Sequence, residues 1–160
     1  MAHEIVTSIE IDAPPERVWE TLVDFDRYPE WNPFMRIAGR PNEGATLTVH
    51  LRPPGGRESE FEPDVVHCEK HRELRWLGHL VFPGLFDGEH RFHLEPLDGG
   101  ERTRFEHAET FSGVFAGLLL RFVGEETRAG FVAMNEGLKT RVEGTVAAER
   151  REAAESSDET

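Results

Sequence analysis

Apolar positions change their period twice along the chain. Over 3–11, Ile5, Ser8 and the Ile9/Ile11 pair mark an imperfect period of two, which predicts a first strand. The segment Asp12-Ala-Pro-Pro-Glu16 then predicts a helix start, with Asp12 or Ala13 near the N-cap and proline in the first turn. Val18, Trp19, Leu22 and Phe25 give that helix one apolar face. A turn-rich segment, 26–33, holds Tyr28, Trp31 and Asn32. Strand-like stretches punctuated by Gly and Pro follow at about 34–39, 45–52, 59–69, 72–81, 86–96 and 101–111. From Val114 the period becomes 3.6. Phe115, Leu118, Leu119 and Phe122 form a short face, and Thr127, Phe131, Met134, Leu138 and Val142 continue it as a long amphipathic helix ending near Val146.

Strand, one or two short helices, six strands and a long helix make an α+β order. Short links between successive strands favour antiparallel pairing. One helix with a single apolar stripe cannot cover a flat seven-stranded sheet, so a curved sheet gripping the helix, with a cavity between them, is expected. The 160 residues fit one domain. Residues 1–147 form the expected body. Residues 148–160 form an acidic tail that is expected to fray, because it has no apolar face.

Charge narrows the partners. The chain carries 31 acidic and 18 basic residues, net −13, which disfavours nucleic acid and anionic membranes, since both are met by Lys and Arg. The longest apolar stretch, GVFAGLLLRFVG, is interrupted by Arg121 and too short for membrane insertion. The opening segment lacks the basic and apolar pattern of a signal peptide, and Cys68 is the only cysteine, so a cytoplasmic location is expected. Lys70 and Lys139 are the only lysines. A high-salt proteome or a GC-rich genome would each produce that bias.

The stretch IDAPPERVWETLVDFDRYPEWNPF resembles the start of the START-like, or SRPBCC, superfamily, also called polyketide cyclase/dehydrase and lipid-transport proteins. ELRWLG, FPGLFDGEHRFHLEP, TRFEHAETFSG and GFVAMNEGLKTRVEG continue the likeness in order over nearly the whole chain. The resemblance implies a helix-grip fold with a deep apolar cavity. It carries no universal catalytic motif.

The hairpin over 86–111 holds the candidate chemistry. A turn at Asp98-Gly99 would pair His90 with His107, whereas a turn at Gly99-Gly100 would set His90 against Glu109. In either register His90, His107 and Glu109 share a face with Phe92 and Phe105. These groups could move protons in a cyclisation or dehydration, hold the polar part of a ligand, or satisfy one another. Asn135, on the inner stripe of the long helix, either touches ligand or caps a strand. The PGLFDG loop, flanked by Trp76, Phe82, Leu85 and Phe86, is either a cavity gate or a packed corner. Trp31-Asn32-Pro33-Phe34 is expected to seal one end, and Trp19 to lie in the core.

His67, Cys68 and His71 span a strand end and a turn, so their side chains should diverge, and no metal site is expected. His3, His50, His79 and His93 read as surface residues. There is no GxSxG, HExxH or Gly-rich phosphate loop, and no cofactor is expected.

The leading expectation is an internal cavity binding a small hydrophobic molecule: a lipid, isoprenoid, polyketide or aromatic compound. Its wall candidates are Phe34, Phe61, Trp76, Phe82, Phe86, Phe92, Phe105, Phe111, Phe115, Leu119, Phe131, Met134 and Leu138, with His90, His107, Glu109 and Asn135 as polar members. The alternatives are a polyketide cyclase or dehydratase using His90, His107 and Glu109 in acid/base catalysis, and a protein-interaction module with a collapsed cavity.

Overall fold

The computed structural model describes residues 3–79 and 82–158. Strand β1 (His3–Ile11) turns Ile5, Thr7, Ile9 and Ile11 to the interior. Helix α1 (Pro15–Val23) starts with Pro14 as its N-cap residue, two residues later than Asp12, and Pro15 occupies the first helical position. Proline suits that position because its missing N–H would have no helical partner there. Val18, Trp19 and Leu22 are its buried face. Phe25–Glu30 forms a 3-10 turn, in which the buried Tyr28 hydroxyl donates to the Leu22 carbonyl at 2.5 Å. Asn32 Oδ1 then accepts from the backbone N–H groups of Phe34 and Met35, both at 3.0 Å, and turns the chain into the next strand.

Among the described residues eight strands form two antiparallel sheets, where the periodicity predicts seven strands in one. β2 (Met35–Ala38), β3 (Thr48–Leu51) and β4 (Ser59–Phe61) make the smaller sheet. β5 (Asp64–Glu69), β6 (Glu73–His79), β7 (Asp87–Leu97) and β8 (Arg102–Ser112) join β1 in the order β1-β8-β7-β6-β5. The stretch expected as one strand over 59–69 divides at Glu62-Pro63, because proline offers no N–H to continue a ladder. Backbone bonds from Leu47 N to Pro63 O and from Val65 N to Ala45 O tie the two sheets across that break.

The β7–β8 hairpin takes the second of the two registers, with His90 opposite Glu109 and Phe92 opposite His107. The Asp98-Gly99 two-residue tip does not form. Leu97 pairs with Arg102, leaving a four-residue link in which Asp98, Gly99 and Gly100 all have positive φ, at 52°, 71° and 95°. Two successive glycines extend the left-handed run beyond what a two-residue turn uses.

Helix α2 (Ala116–Asp158) packs Phe131, Met134, Asn135, Leu138, Val142 and Val146 into the grip. Its 43 residues correspond to about 65 Å. It runs twelve residues past the Val146 end read from the apolar stripe, and among the described residues none beyond Val146 is buried. Alanine, glutamate and arginine are good helix formers, so the backbone continues where the packing stops. Two glycines inside the packed part have a steric reason: a β-carbon at Gly130 would collide with the Phe34 ring, and one at Gly137 with the Trp31 carbonyl. The segment 31–34 thus lies directly on the helix. Among the described residues no helix is long and apolar enough to cross a membrane.

Candidate functional site

The interior between sheet and helix is filled with rings. Phe34 meets Phe131 edge to face at 5.9 Å, and Phe131 stacks on His107 at 4.0 Å. Trp76 stacks on His90 at 4.7 Å and meets Phe92 edge to face at 5.3 Å, while Phe92 stacks on Phe105 at 5.7 Å. Phe34, Trp76, Phe92, Phe105, Phe131, Met134 and Leu138 are therefore packed together in the core, and Trp19 joins the same core. Phe61, Phe86 and Leu119 are half-buried, and Phe111 is buried with its ring stacked on Phe86 at 5.4 Å. Phe82 and Phe115 are exposed.

Four polar side chains thread the aromatic core. His90, from β7, and His107, from β8, bring their Nε2 atoms to 2.7 Å. His107 Nδ1 lies 2.9 Å from Asn135 Oδ1 on α2, and Asn135 Nδ2 donates to Thr7 Oγ1 on β1 at 2.9 Å. Thr7 in turn donates to the His107 carbonyl at 2.8 Å. Asn135 thus bridges helix and sheet through side chains. Thr7 is the member that motif reading misses, although a period of two places it on the face of Ile5, Ile9 and Ile11.

Glu109, on β8, extends this row past His90. Its carboxylate oxygen lies 3.6 Å from His90 Nδ1, and the residue is 8 % exposed. Burial dominates the electrostatics. It raises the Glu109 carboxyl to about 8, and it pushes His90 down to about 3, helped by the neighbouring Arg91 charge. His107 falls well below the ordinary histidine range for the same reason, with the proximity of His90 adding to it. At neutral pH all three groups are uncharged. Gly88, on the adjacent strand, leaves the room that the Glu109 carboxyl occupies: a β-carbon there would stand 2.7 Å from Oε1.

Past Glu109 on the same face of β8 comes the buried Phe111, stacked on Phe86. Val114 and Phe115, just before α2, and Leu118, Phe122 and Val123, in its first turns, are exposed, Phe122 to 75 %. Beside them lies an open recess of about 530 Å³ lined by His3, Gly117, Leu118, Leu120 and Arg121. A second recess, of about 290 Å³, lies between the 3-10 turn and the β2–β3 pair. The PGLFDG segment is docked as a corner: the carbonyls of Gly84 and Leu85 accept from Val114 N and Phe115 N, at 3.1 and 3.0 Å. Asp87 accepts from Gly84 N and lies 2.7 Å from His79 Nδ1. Among the described residues no group of three or more His, Cys, Asp or Glu side chains is placed to hold a metal ion.

Residues 2–143 match the family described as polyketide cyclase / dehydrase and lipid transport. No curated protein matches the chain. Among solved structures, a START superfamily protein from Mycobacterium smegmatis superposes with a TM-score of 0.65 at 21% identity, over 89% of this chain and 99% of that one. The Zhui aromatase/cyclase from Streptomyces sp. R1128 superposes with a TM-score of 0.66 at 17% identity, over 89% and 96%. Norcoclaurine synthase from Thalictrum flavum, in complex with dopamine and hydroxybenzaldehyde, gives 0.66 at 13% identity, over 89% and 87%. These likenesses report the shared fold. With a helix held by an antiparallel sheet and a family match spanning nearly its whole length, the chain belongs to the polyketide cyclase / dehydrase and lipid-transport family.

Proposed function

We propose that this protein binds a small apolar molecule at the open end of the grip, above the aromatic core and with Glu109 and His90 at the inner limit of the site. The observation that carries the reading is the gathering of exposed apolar side chains at that one end. Phe82, Val114, Phe115, Leu118 and Phe122 stand in solvent beside a recess whose volume falls within the ordinary range for small-molecule sites, about 300–1,000 Å³. A contiguous apolar surface rimmed by polar residues marks a binding region more often than a bare surface does. The ligand class is a compact lipid, isoprenoid, polyketide or aromatic molecule. Two structural neighbours act on, or hold, aromatic compounds by their names, which supports the aromatic end of that range.

A neutral fluorescent probe, N-phenyl-1-naphthylamine, tests the reading. Binding at micromolar concentration, weakened about tenfold or more by Leu118→Arg, is the expected result. Probe binding that Leu118→Arg leaves unchanged would place the site elsewhere, and absence of binding favours a protein-interaction role for the same face.

The Glu109–His90 pair supports a second reading, a cyclase or dehydratase. An acid kept protonated opposite an imidazole kept neutral is an acid–base pair held ready at neutral pH. Under that reading, Glu109→Gln lowers turnover of a poly-ketone substrate about 10²–10⁴-fold while binding survives.

A further inference from the structure

The directions of the hydrogen bonds in the buried row follow from one fixed end. A carbonyl only accepts, so the single hydroxyl proton of Thr7 is committed to the His107 carbonyl. Thr7 Oγ1 must then accept from Asn135, which turns the amide nitrogen toward Thr7 and the amide oxygen toward His107. His107 therefore carries its proton on Nδ1 and leaves Nε2 bare. His90, 2.7 Å away, must donate from its own Nε2, which leaves its Nδ1 without a proton. Burial of both imidazoles supports this assignment, since it excludes the doubly protonated forms.

The row ends unclosed. His90 Nδ1 faces Glu109 Oε1 at 3.6 Å, too long for a hydrogen bond, and among the described residues the carboxyl has no hydrogen-bond partner. The Trp76 indole N–H, on the ring stacked over His90, is also buried and unpartnered. Among the described residues no Lys or Arg stands at ion-pair distance from Glu109. Arg91, next in sequence to His90, is engaged with Glu4 and Glu106. Within the row itself the unpartnered positions thus comprise donors and an acceptor, without a cation; the recess has a cation, Arg121, in its lining.

We infer that Thr7, Asn135 and His107 are positioning residues that hold His90 Nδ1 and the Glu109 carboxyl open toward a ligand, and that this pair takes an uncharged carbonyl or hydroxyl group and rejects a carboxylate. A ligand carbonyl accepts the Glu109 proton, and a ligand hydroxyl donates to His90 Nδ1. A carboxylate would enter a desolvated place with no opposing charge. This rests on the reading of the open end as a ligand site and names the kind of ligand it holds.

The test has a ligand-free arm and a ligand arm. Imidazole ¹⁵N NMR at pH 7 is expected to show His107 protonated on Nδ1 and His90 on Nε2; the reverse pattern overturns the positioning argument. Calorimetry with a matched pair, 2-acetylnaphthalene and 2-naphthoate, is expected to favour the ketone by about tenfold or more, the scale of one good hydrogen bond. Equal binding, or preference for the carboxylate, overturns the anchor and leaves the site reading intact. Binding of neither overturns the site reading and the ligand half of the inference together, whereas the NMR arm still decides the positioning half. Asn135→Leu should mix the His107 tautomers and erase most of the ketone preference, and Asn135→Asp, which keeps the acceptor, should retain the tautomers. Thr7→Val, nearly the same shape, is read in the same way if Asn135→Leu does not fold. Full preference for the ketone in the folded variant overturns the positioning role.

Discussion

Two stretches of α2 look alike as sequence and differ as structure. Leu118 and Phe122 near its start, following Phe115 just before it, and Phe131, Met134 and Leu138 farther on, recur at helical spacing. The later set is fully buried against β1, β8 and the 31–34 segment, whereas the earlier set stands exposed. Phe122 and Phe131 are nine residues apart, about two and a half turns, so the two sets lie on opposite sides of the helix; at its start the sheet-facing positions are taken by Ala116 and Leu120 instead. Apolar periodicity reports that a face wants covering. It does not report whether this chain supplies the cover or leaves it to something else.

The sharpest way to break that comparison is to truncate one side chain in each stretch. Phe131→Ala should cost about 3–5 kcal/mol in urea unfolding, since it empties the centre of the aromatic cluster. Phe122→Ala should stay within about 0.5 kcal/mol, as for surface substitutions generally. Similar losses at both positions would mean that the start of α2 is covered in solution.

The polar row of the core adds a pH signature. Folded Glu109 keeps its proton up to about 8, whereas unfolded Glu109 releases it near 4.5, so stability falls as pH rises through that window. His90 and His107 act in the opposite sense. The unfolded imidazoles take up protons below about 6.5 and the folded ones do not, so stability falls as pH drops from 6.5 toward 3. Where the windows overlap two imidazoles outweigh one carboxyl, and the maximum should lie near pH 6.5. Glu109→Gln should remove the alkaline decline, a few kcal/mol at pH 8, and leave the acid decline in place. Denaturant midpoints across pH 4–9 check both limbs.

The smallest effect is expected at the far end of α2. Arg17 clasps Glu149 through two 2.6 Å hydrogen bonds at an exposed position. Such a pair contributes about 0–1 kcal/mol, and beyond it nothing is buried among the described residues. Amides after Glu149 should exchange with little protection, and Glu149→Ala should lower stability by less than about 1 kcal/mol. Strong protection out to Asp158 would show that the projecting helix docks on a partner.

The order of elements was legible because each is marked by its own period: two along β1, β7 and β8, 3.6 along α2. The inward face of the 86–111 hairpin was legible for the same reason, and it brought His90, His107 and Glu109 together before any register was known. The register itself was left open, since it depends on how many residues of Asp98-Gly99-Gly100-Glu101 adopt left-handed backbone, and glycine permits several answers. The division at Pro63 was marked by a residue that cannot continue a ladder, yet an apolar run on both sides masked it. The filling of the interior was not legible. Periodicity states which side chains face inward, not how many of them the enclosed volume holds.

Gly130 and Gly137 carry a consequence for anyone redesigning this chain. By helix propensity alone each is a weak point, and an optimisation of α2 taken as an isolated element would replace both by alanine. Here each is a socket: Phe34 occupies the place of one absent side chain, and the Trp31 carbonyl that of the other. Raising the propensity of the helix at these positions would push the 31–34 segment off it. Thermal stabilisation of this protein therefore starts from the solvent face of α2, where an added side chain meets only water.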